Sequence, residues 1–414
     1  MKKQFKNWLI LVMLGIAIIT GSGIMRGVEA DKIDAKAAYM IDAGTGQVLY
    51  QQNADSKYPI ASLTKILTLA VIMKDIHNQK LSWDQKIKVN KDVSDMANNW
   101  QYSNVQLNEG ESYTVKSLVE SMMIVSADGS TEALALADAG SVQAFNKKMK
   151  EVAHEAGVTN AEIYNMIGLP NSDLGNLKLK NVGDDQENKF SAKDIALISK
   201  YLVNNYPEVI DITKQKNVDF KISADQTYNM ENINYMLEGS YAAPKNGTID
   251  GLKTGFTDEA GYCFVGTGTF NGQRVITVIL NASDYNKQFA ETNKMIESVM
   301  NNDKVVNTKD IKSVKQALKK ENLKVNDTNI WVAKNTDPKQ VKAKLTLSNG
   351  KIKAKNTKNE KVVTIKISSS GVSHLRALHQ QTSPKHKKFS PVVSVVGGAA
   401  SAGALTGLKK LLVS

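Results

Sequence analysis

Cysteine is nearly absent from this chain of 414 residues: Cys263 stands alone, so no intrachain disulfide can form and stability must come from an apolar core. Its neighbours Tyr262 and Phe264 put it in a strand, where a lone cysteine is expected to be an inert core residue rather than a catalytic thiol. Histidine is scarce too. The five residues, at 77, 154, 374, 379 and 386, show no metal-ligand spacing, so neither metal nor cofactor is expected. Acidic residues are in deficit: 53 Lys and Arg face 41 Asp and Glu, for a net charge of +12. No recognised nucleic-acid motif accompanies this excess, so nucleic acid is not the expected partner. Anionic polymers or lipid head groups fit better, beside the plainer alternative of a soluble basic surface.

Long apolar runs are also rare. Lys2, Lys3 and Lys6 precede an uncharged stretch from Trp8 to Thr20, and Val28-Glu29-Ala30 offers small residues at positions a signal peptidase reads. Residues 1–30 are expected to be a cleaved signal peptide and the protein to be exported. An uncleaved anchor is the alternative, opposed by a run shorter than the ~20 residues of a membrane span. The rest is long enough for two domains and for a monomer to bury its own core.

Ala37 to Ile41 and Gln47 to Tyr50, joined by the turn-rich Asp42-Ala43-Gly44-Thr45-Gly46, read as a β-hairpin. Pro59 then precedes Ala61 to Lys74, where Ile66, Leu69, Ala70 and Met73 recur at helical spacing. Helical periodicity returns from Tyr113 to Ala153, interrupted at Ser126-Ala127-Asp128-Gly129. A polar loop spans about Gly168 to Asn188, followed by a helix near Ser191 to Asn204. Tyr262 to Thr269 and Gln273 to Leu280, around Asn271-Gly272, form a second hairpin, and a helix from about Tyr285 to Met300 closes the unit. Hairpins at both ends with helices between predict an α+β fold: one antiparallel sheet assembled from the two ends of a domain at 31–300 and flanked by helices.

Beyond it, Asn329 to Lys334, Val341 to Leu347, Lys351 to Lys355 around an Asn349-Gly350 turn, and Val362 to Ser368 predict a small all-β domain at 301–370, a spacer or interaction module. Residues 371–414 form a basic tail in which Phe389 to Leu408 is uncharged for twenty residues. Four glycines, four alanines and three serines make its hydrophobic gain small, leaving membrane contact and an irregular terminus as alternatives.

Three words carry chemistry. Ser62-Leu63-Thr64-Lys65 places a hydroxyl and an amine three apart on a helix, hence on neighbouring surface positions. The serine becomes a nucleophile only when a base takes its proton, and lysine is that base only when neutral. Ser126-Ala127-Asp128 adds a second hydroxyl. Lys253-Thr254-Gly255-Phe256 puts a cation on a strand edge, with glycines where a ligand can approach closely. Together they describe acyl transfer; an ordinary edge strand is the bland alternative for the last.

In this order the three motifs resemble those of penicillin-binding proteins and serine β-lactamases, and the chain looks most like a serine-type D-alanyl-D-alanine carboxypeptidase. The likeness runs from about Ala37 to Met300. It is carried by Asp42 to Leu49, Ile60 to Lys65, Gly168-Leu169-Pro170, Ser191 to Asp194 and Gly251 to Cys263. It implies a β-lactamase/transpeptidase-like domain, peptidoglycan stem peptides as substrate, acylation by β-lactams, and residence at the cell wall or the outer face of the membrane. It further implies Ser62 as nucleophile, Lys65 as proton acceptor, Ser126 as relay to the leaving amine, Lys253, Thr254 and Gly255 at the substrate carboxylate, and the N–H groups of Ser62 and Phe256 as oxyanion hole.

One residue departs from the pattern. Asp128 stands where the family usually has asparagine; ionised, it cannot donate the amide's hydrogen bond, and beside Lys65 it stabilises the ammonium. Two other readings follow from single residues. Glu162 lies where a class A-like β-lactamase could carry its water-activating glutamate, although Ala161 to Asn165 reads as an alternating strand with a solvated Glu162. Asp128 alternatively marks a non-catalytic wall-binding homologue.

Overall fold

A computed structural model describes residues 32–307, 310–312, 316, 329–335 and 337, with the backbone alone of 13–16, 342–349, 361–368 and 378–379. Most of the expected signal peptide and all of Phe389 to Leu408 lie outside the described residues. Among those described, no helix is long and apolar enough to cross a membrane.

The centre of the fold is a five-stranded sheet. Its strands are β1 (Ala35–Asp42), β2 (Val48–Gln52), β3 (Thr248–Thr257), β4 (Gly261–Phe270) and β5 (Gln273–Ala282), in the order β3-β4-β5-β1-β2. Every neighbouring pair is antiparallel, and the two ends of the domain meet where Tyr39 of β1 lies opposite Val278 of β5. Both expected hairpins are present. Asn271 and Gly272 adopt φ of 48° and 73°, the left-handed pair of a turn whose twist matches its flanking strands.

The sheet is buried on both faces. Ala37, Tyr39 and Ile41 point into a core shared with the central helices, while Ala38 and Met40 point the other way, toward Phe289, Met295 and Trp331. The helices are α1 (Thr64–His77), α2 (Lys91–Ala97), α3 (Val115–Ile124), α4 (Asp128–Ala139), α5 (Val142–Glu155), α6 (Ala192–Asn205), α7 (Val209–Thr213) and α8 (Lys287–Asn302). Ser191 caps α6 in a capping box with Asp194, as a serine followed three residues later by an acid dictates. α1 is buried almost all round, which marks it as the domain's central helix. α8 covers the far face of the sheet and α6 the near one.

Asp303–Asn307 pairs antiparallel with Asn329–Ala333, and Lys342–Asn349 pairs with Lys361–Ser368. Asn349 lies opposite Lys361, and the strand expected at Lys351 to Lys355 lies outside the described residues. Met13–Ile16 runs parallel to Lys361–Ser368 and antiparallel to Leu378–His379.

Candidate active site

After the short strand Lys57–Pro59, a tight turn at Ala61–Leu63 with Ala61 at φ 48° feeds into α1. Ser62 therefore sits just before the first turn of a helix, where unpaired N–H groups favour developing negative charge. Lys65 follows on the same face with no exposed surface. Its Nζ lies 2.7 Å from Ser62 Oγ and 2.6 Å from Asp128 Oδ1, and 3.5 Å from the carbonyl of Ile167.

Asp128 opens α4 and is itself buried, its N–H donating to the carbonyl of Ser103 at 2.8 Å. Lys253, on edge strand β3, is equally buried, and its Nζ donates to the carbonyl of Thr254 at 3.1 Å. Three buried ionisable groups thus act on one another, and burial acts on each. It lowers the pKa of Lys65 against the opposing pull of Asp128. It lowers that of Lys253 well below the lysine range, aided by the charge of Lys65 and opposed by Asp128. It raises that of Asp128, and the two lysines counter it. For Lys65 the net direction is the one a general base needs.

Ser126 joins α3 to α4 at φ 65°, nearly buried and two residues before Asp128. Thr254 is buried; Phe256 is half exposed and leans on Tyr262, ring centres 4.5 Å apart. What brings β3 beside the nucleophile is Gly255. A Cβ there would lie 2.9 Å from the carbonyl of Ile60 and 3.2 Å from the N of Ser62, so only glycine lets the strand touch the turn. Gly168 does the same from the other side, at φ 95°, where a Cβ would overlap the carbonyl of Ala61.

Sequence reasoning missed the residues that hold this turn. Asn188 Nδ2 donates to Thr64 Oγ1 at 3.0 Å and to the carbonyl of Asn165 at 2.7 Å, while its own carbonyl accepts from the N–H of Ile60. Asn165 Oδ1 in turn accepts from the N–H of Ile167 and Gly168. Both asparagines are fully buried, yet they stand within or beside a stretch whose composition signals a solvated loop.

Glu162 is elsewhere in character. It pairs with Lys57 at 3.7 Å, its side chain 39% exposed, as a solvated carboxylate on an alternating segment does. Cys263 is fully buried with its thiol pushed up to about 12, which suits a core residue.

Residues 25–284 match the model of the family described as D-alanyl-D-alanine carboxypeptidase, peptidase S11. The chain belongs to that family. It is 33% identical to the D-alanyl-D-alanine carboxypeptidase DacC of Escherichia coli over 65% of this chain and 62% of that one. The chain spans about three fifths of the length of the curated relatives it matches. Among solved structures it resembles penicillin-binding protein D2 of Listeria monocytogenes in its ampicillin-bound form. There the identity is 31%, with a TM-score of 0.53 over 65% of this chain and 98% of that one. It also resembles a peptidoglycan synthesis regulatory factor, PBP3, of Streptococcus pneumoniae, at 29% identity and a TM-score of 0.65 over 74% and 85%. The α+β architecture is thus that of the family's peptidase domain.

Proposed function

We propose that the chain is a serine D,D-carboxypeptidase that removes the terminal D-alanine from peptidoglycan stem peptides through an acyl-enzyme on Ser62. The carrying observation is the buried Lys65 amine 2.7 Å from Ser62 Oγ, on a helix start that β3 touches at Gly255. Ser62 Oγ attacks the carbonyl carbon between the last two D-alanines, and its proton passes to neutral Lys65 Nζ. The N–H groups of Ser62 and Phe256 hold the oxyanion, each such donor being worth ~3–4 kcal/mol. Ser126 relays the proton from Lys65 to the departing amine as the C–N bond breaks, which returns Lys65 to its neutral form, and water then hydrolyses the ester.

Lys253 and Thr254 take the substrate's terminal carboxylate. Burial depresses the Lys253 pKa in the free enzyme, and an arriving carboxylate restores it. Substrate binding then installs a firm positive charge beside Lys65 and lowers its proton affinity when the base is required. Asp128 works against this by favouring the Lys65 ammonium. The residence that follows from such a substrate is extracytoplasmic, at the wall.

Benzylpenicillin should add its own mass to the protein, and peptide mapping should place the adduct on Ser62. D-alanine should be released from a stem pentapeptide. An adduct elsewhere, or none, overturns the reading, and rapid turnover of the β-lactam turns it toward a lactamase.

A further inference from the structure

One turn beyond Asp128 on α4, Glu132 is 1% exposed, and neither carboxylate oxygen has a hydrogen-bond partner. Nothing in the mechanism above uses it. Positions four apart on a helix are neighbours, so Glu132 follows Asp128 on one side of α4, and Asp128 is bonded to the base. α2 presses onto the same helix: a Cβ on Gly129 would lie 2.5 Å from Cβ of Ala97. Around α4 stand α1, α2, α3, α5 and the strand Lys86–Lys88. Among the described residues, the charges that bear on Glu132 are Asp128 on its own helix and Asp92 on α2. The lysines of the packed elements are engaged or exposed: Lys65 is bonded to Asp128, Lys91 of α2 to Asp95, Lys116 of α3 lies near Glu120, Lys148 of α5 is bonded to Asp75, and Lys86 and Lys88 of the strand are exposed.

A buried carboxyl without a hydrogen-bond partner, one turn from Asp128, is neutral at physiological pH, and burial together with the charges of Asp128 and Asp92 moves its pKa to about 9. The pocket then holds two lysines and one carboxylate, and the Lys65–Asp128 pair sees no further negative charge. Ionised, Glu132 would add a second negative charge one turn from Asp128 and hold Lys65 as ammonium.

Resting on the proposed acyl-transfer reading, we infer that Glu132 is a positioning residue for the general base: its uncharged acid keeps Lys65 free to accept the Ser62 proton, and its ionisation locks Lys65 in the charged form. The inference therefore adds an alkaline brake to the site.

The test compares benzylpenicillin acylation rates of the wild type with those of Glu132→Gln and Glu132→Met between pH 6 and 10. The ratio of variant to wild-type rate should climb at least threefold from pH 7 to 10 in both variants, whatever its value at pH 7. A merely structural role gives a ratio independent of pH, and such a flat ratio overturns the inference.

Stability supplies a second readout. The native acid keeps its proton above the pH at which the unfolded one releases it, so wild-type stability falls as pH rises from the ordinary carboxyl range toward about 9. The melting temperatures of both variants should therefore gain on the wild type between pH 5 and 8.5. A constant difference also overturns the inference. Absence of any adduct in the wild type would sink the acyl-transfer reading and the role assigned to Glu132 with it, while the pH slope of stability would still report the buried acid.

Discussion

Asp128→Asn is expected to accelerate acylation by ~10–100-fold at pH 7 and to move the acid limb of the rate profile down by ~1–2 pH units, the range an opposite charge in contact shifts a partner. Lys65 Nζ lies 2.6 Å from Asp128 Oδ1 and both side chains are buried, so the carboxylate stabilises the ammonium with little screening by solvent. Burial alone pushes the lysine toward its free amine; the carboxylate pulls it back. Replacing the charge by an amide keeps a hydrogen-bond acceptor toward Lys65 and removes the pull. Each unit by which the Lys65 pKa then falls increases the fraction of free amine about tenfold below that pKa, since one unit corresponds to ~1.4 kcal/mol.

The same substitution lowers the Lys253 pKa, because Asp128 supports that ammonium also. Carboxylate binding should weaken while the chemical step quickens. Acylation must therefore be measured at saturating benzylpenicillin, where the rate constant is separated from affinity. Coincident pH profiles for the two proteins would show that Asp128 does not control the base. The variant should also lose stability, because two buried lysines lose the support of the Asp128 charge; removing one partner of a buried pair costs ~3–5 kcal/mol, less here because the amide stays bonded.

Much of this site could be read from the chain because its chemistry is local or sits on regular elements. Ser62 and Lys65 share a helix face by spacing alone, and the Gly255 strand is recognisable from alternation and its glycines. Asp128 could be singled out as the departure, and its contact with Lys65 is where the physical argument expected trouble. The clamp around the turn could not be read. Asn165 and Asn188 gain their role from burial and from backbone groups far along the chain, and the polar stretch from about Gly168 to Asn188, like the short strand before it, has the same composition whether it faces water or braces a nucleophile. Glu132 was hidden for a related reason. On a helix of small apolar residues one glutamate signals an exposed face, and only the approach of α2 at Gly129 shows that this face is covered. Beyond residue 300, strands stand at Asn329–Ala333, Lys342–Asn349 and Lys361–Ser368 much where alternation puts them, while which strand pairs with which could not be read.

The Asp42 to Gln47 turn, a family signature in the sequence, has no place in the chemistry above, and its partner lies 284 residues away. Gln47 reads the backbone of Trp331 like a paired strand: its Nε2 donates to the Trp331 carbonyl at 2.7 Å and its Oε1 accepts from the Trp331 N–H at 2.9 Å. Asp42 accepts from the indole Nε1 at 2.9 Å through one oxygen and from Thr45 through the other. The indole itself is 1% exposed, in the core beneath the sheet with Phe289 and Met295. The strand Asn329–Ala333 thus packs into the core beneath the five-stranded sheet.

Trp331→Ala is expected to cost ~3–5 kcal/mol for the emptied ring volume. A further ~1 kcal/mol goes with the hydrogen bond withdrawn from Asp42. That sum rivals the whole stability of many domains, ~5–15 kcal/mol, so the variant should unfold at far lower urea. Trp331→Phe keeps most of the volume and should lose only ~1–2 kcal/mol. Because Trp331 packs on the face of the sheet away from α1, whatever remains folded at low temperature should acylate at the wild-type rate. An alanine variant melting within ~1 kcal/mol of wild type would instead make the segment a peripheral attachment and leave the buried Gln47 and Asp42 contacts without energetic weight.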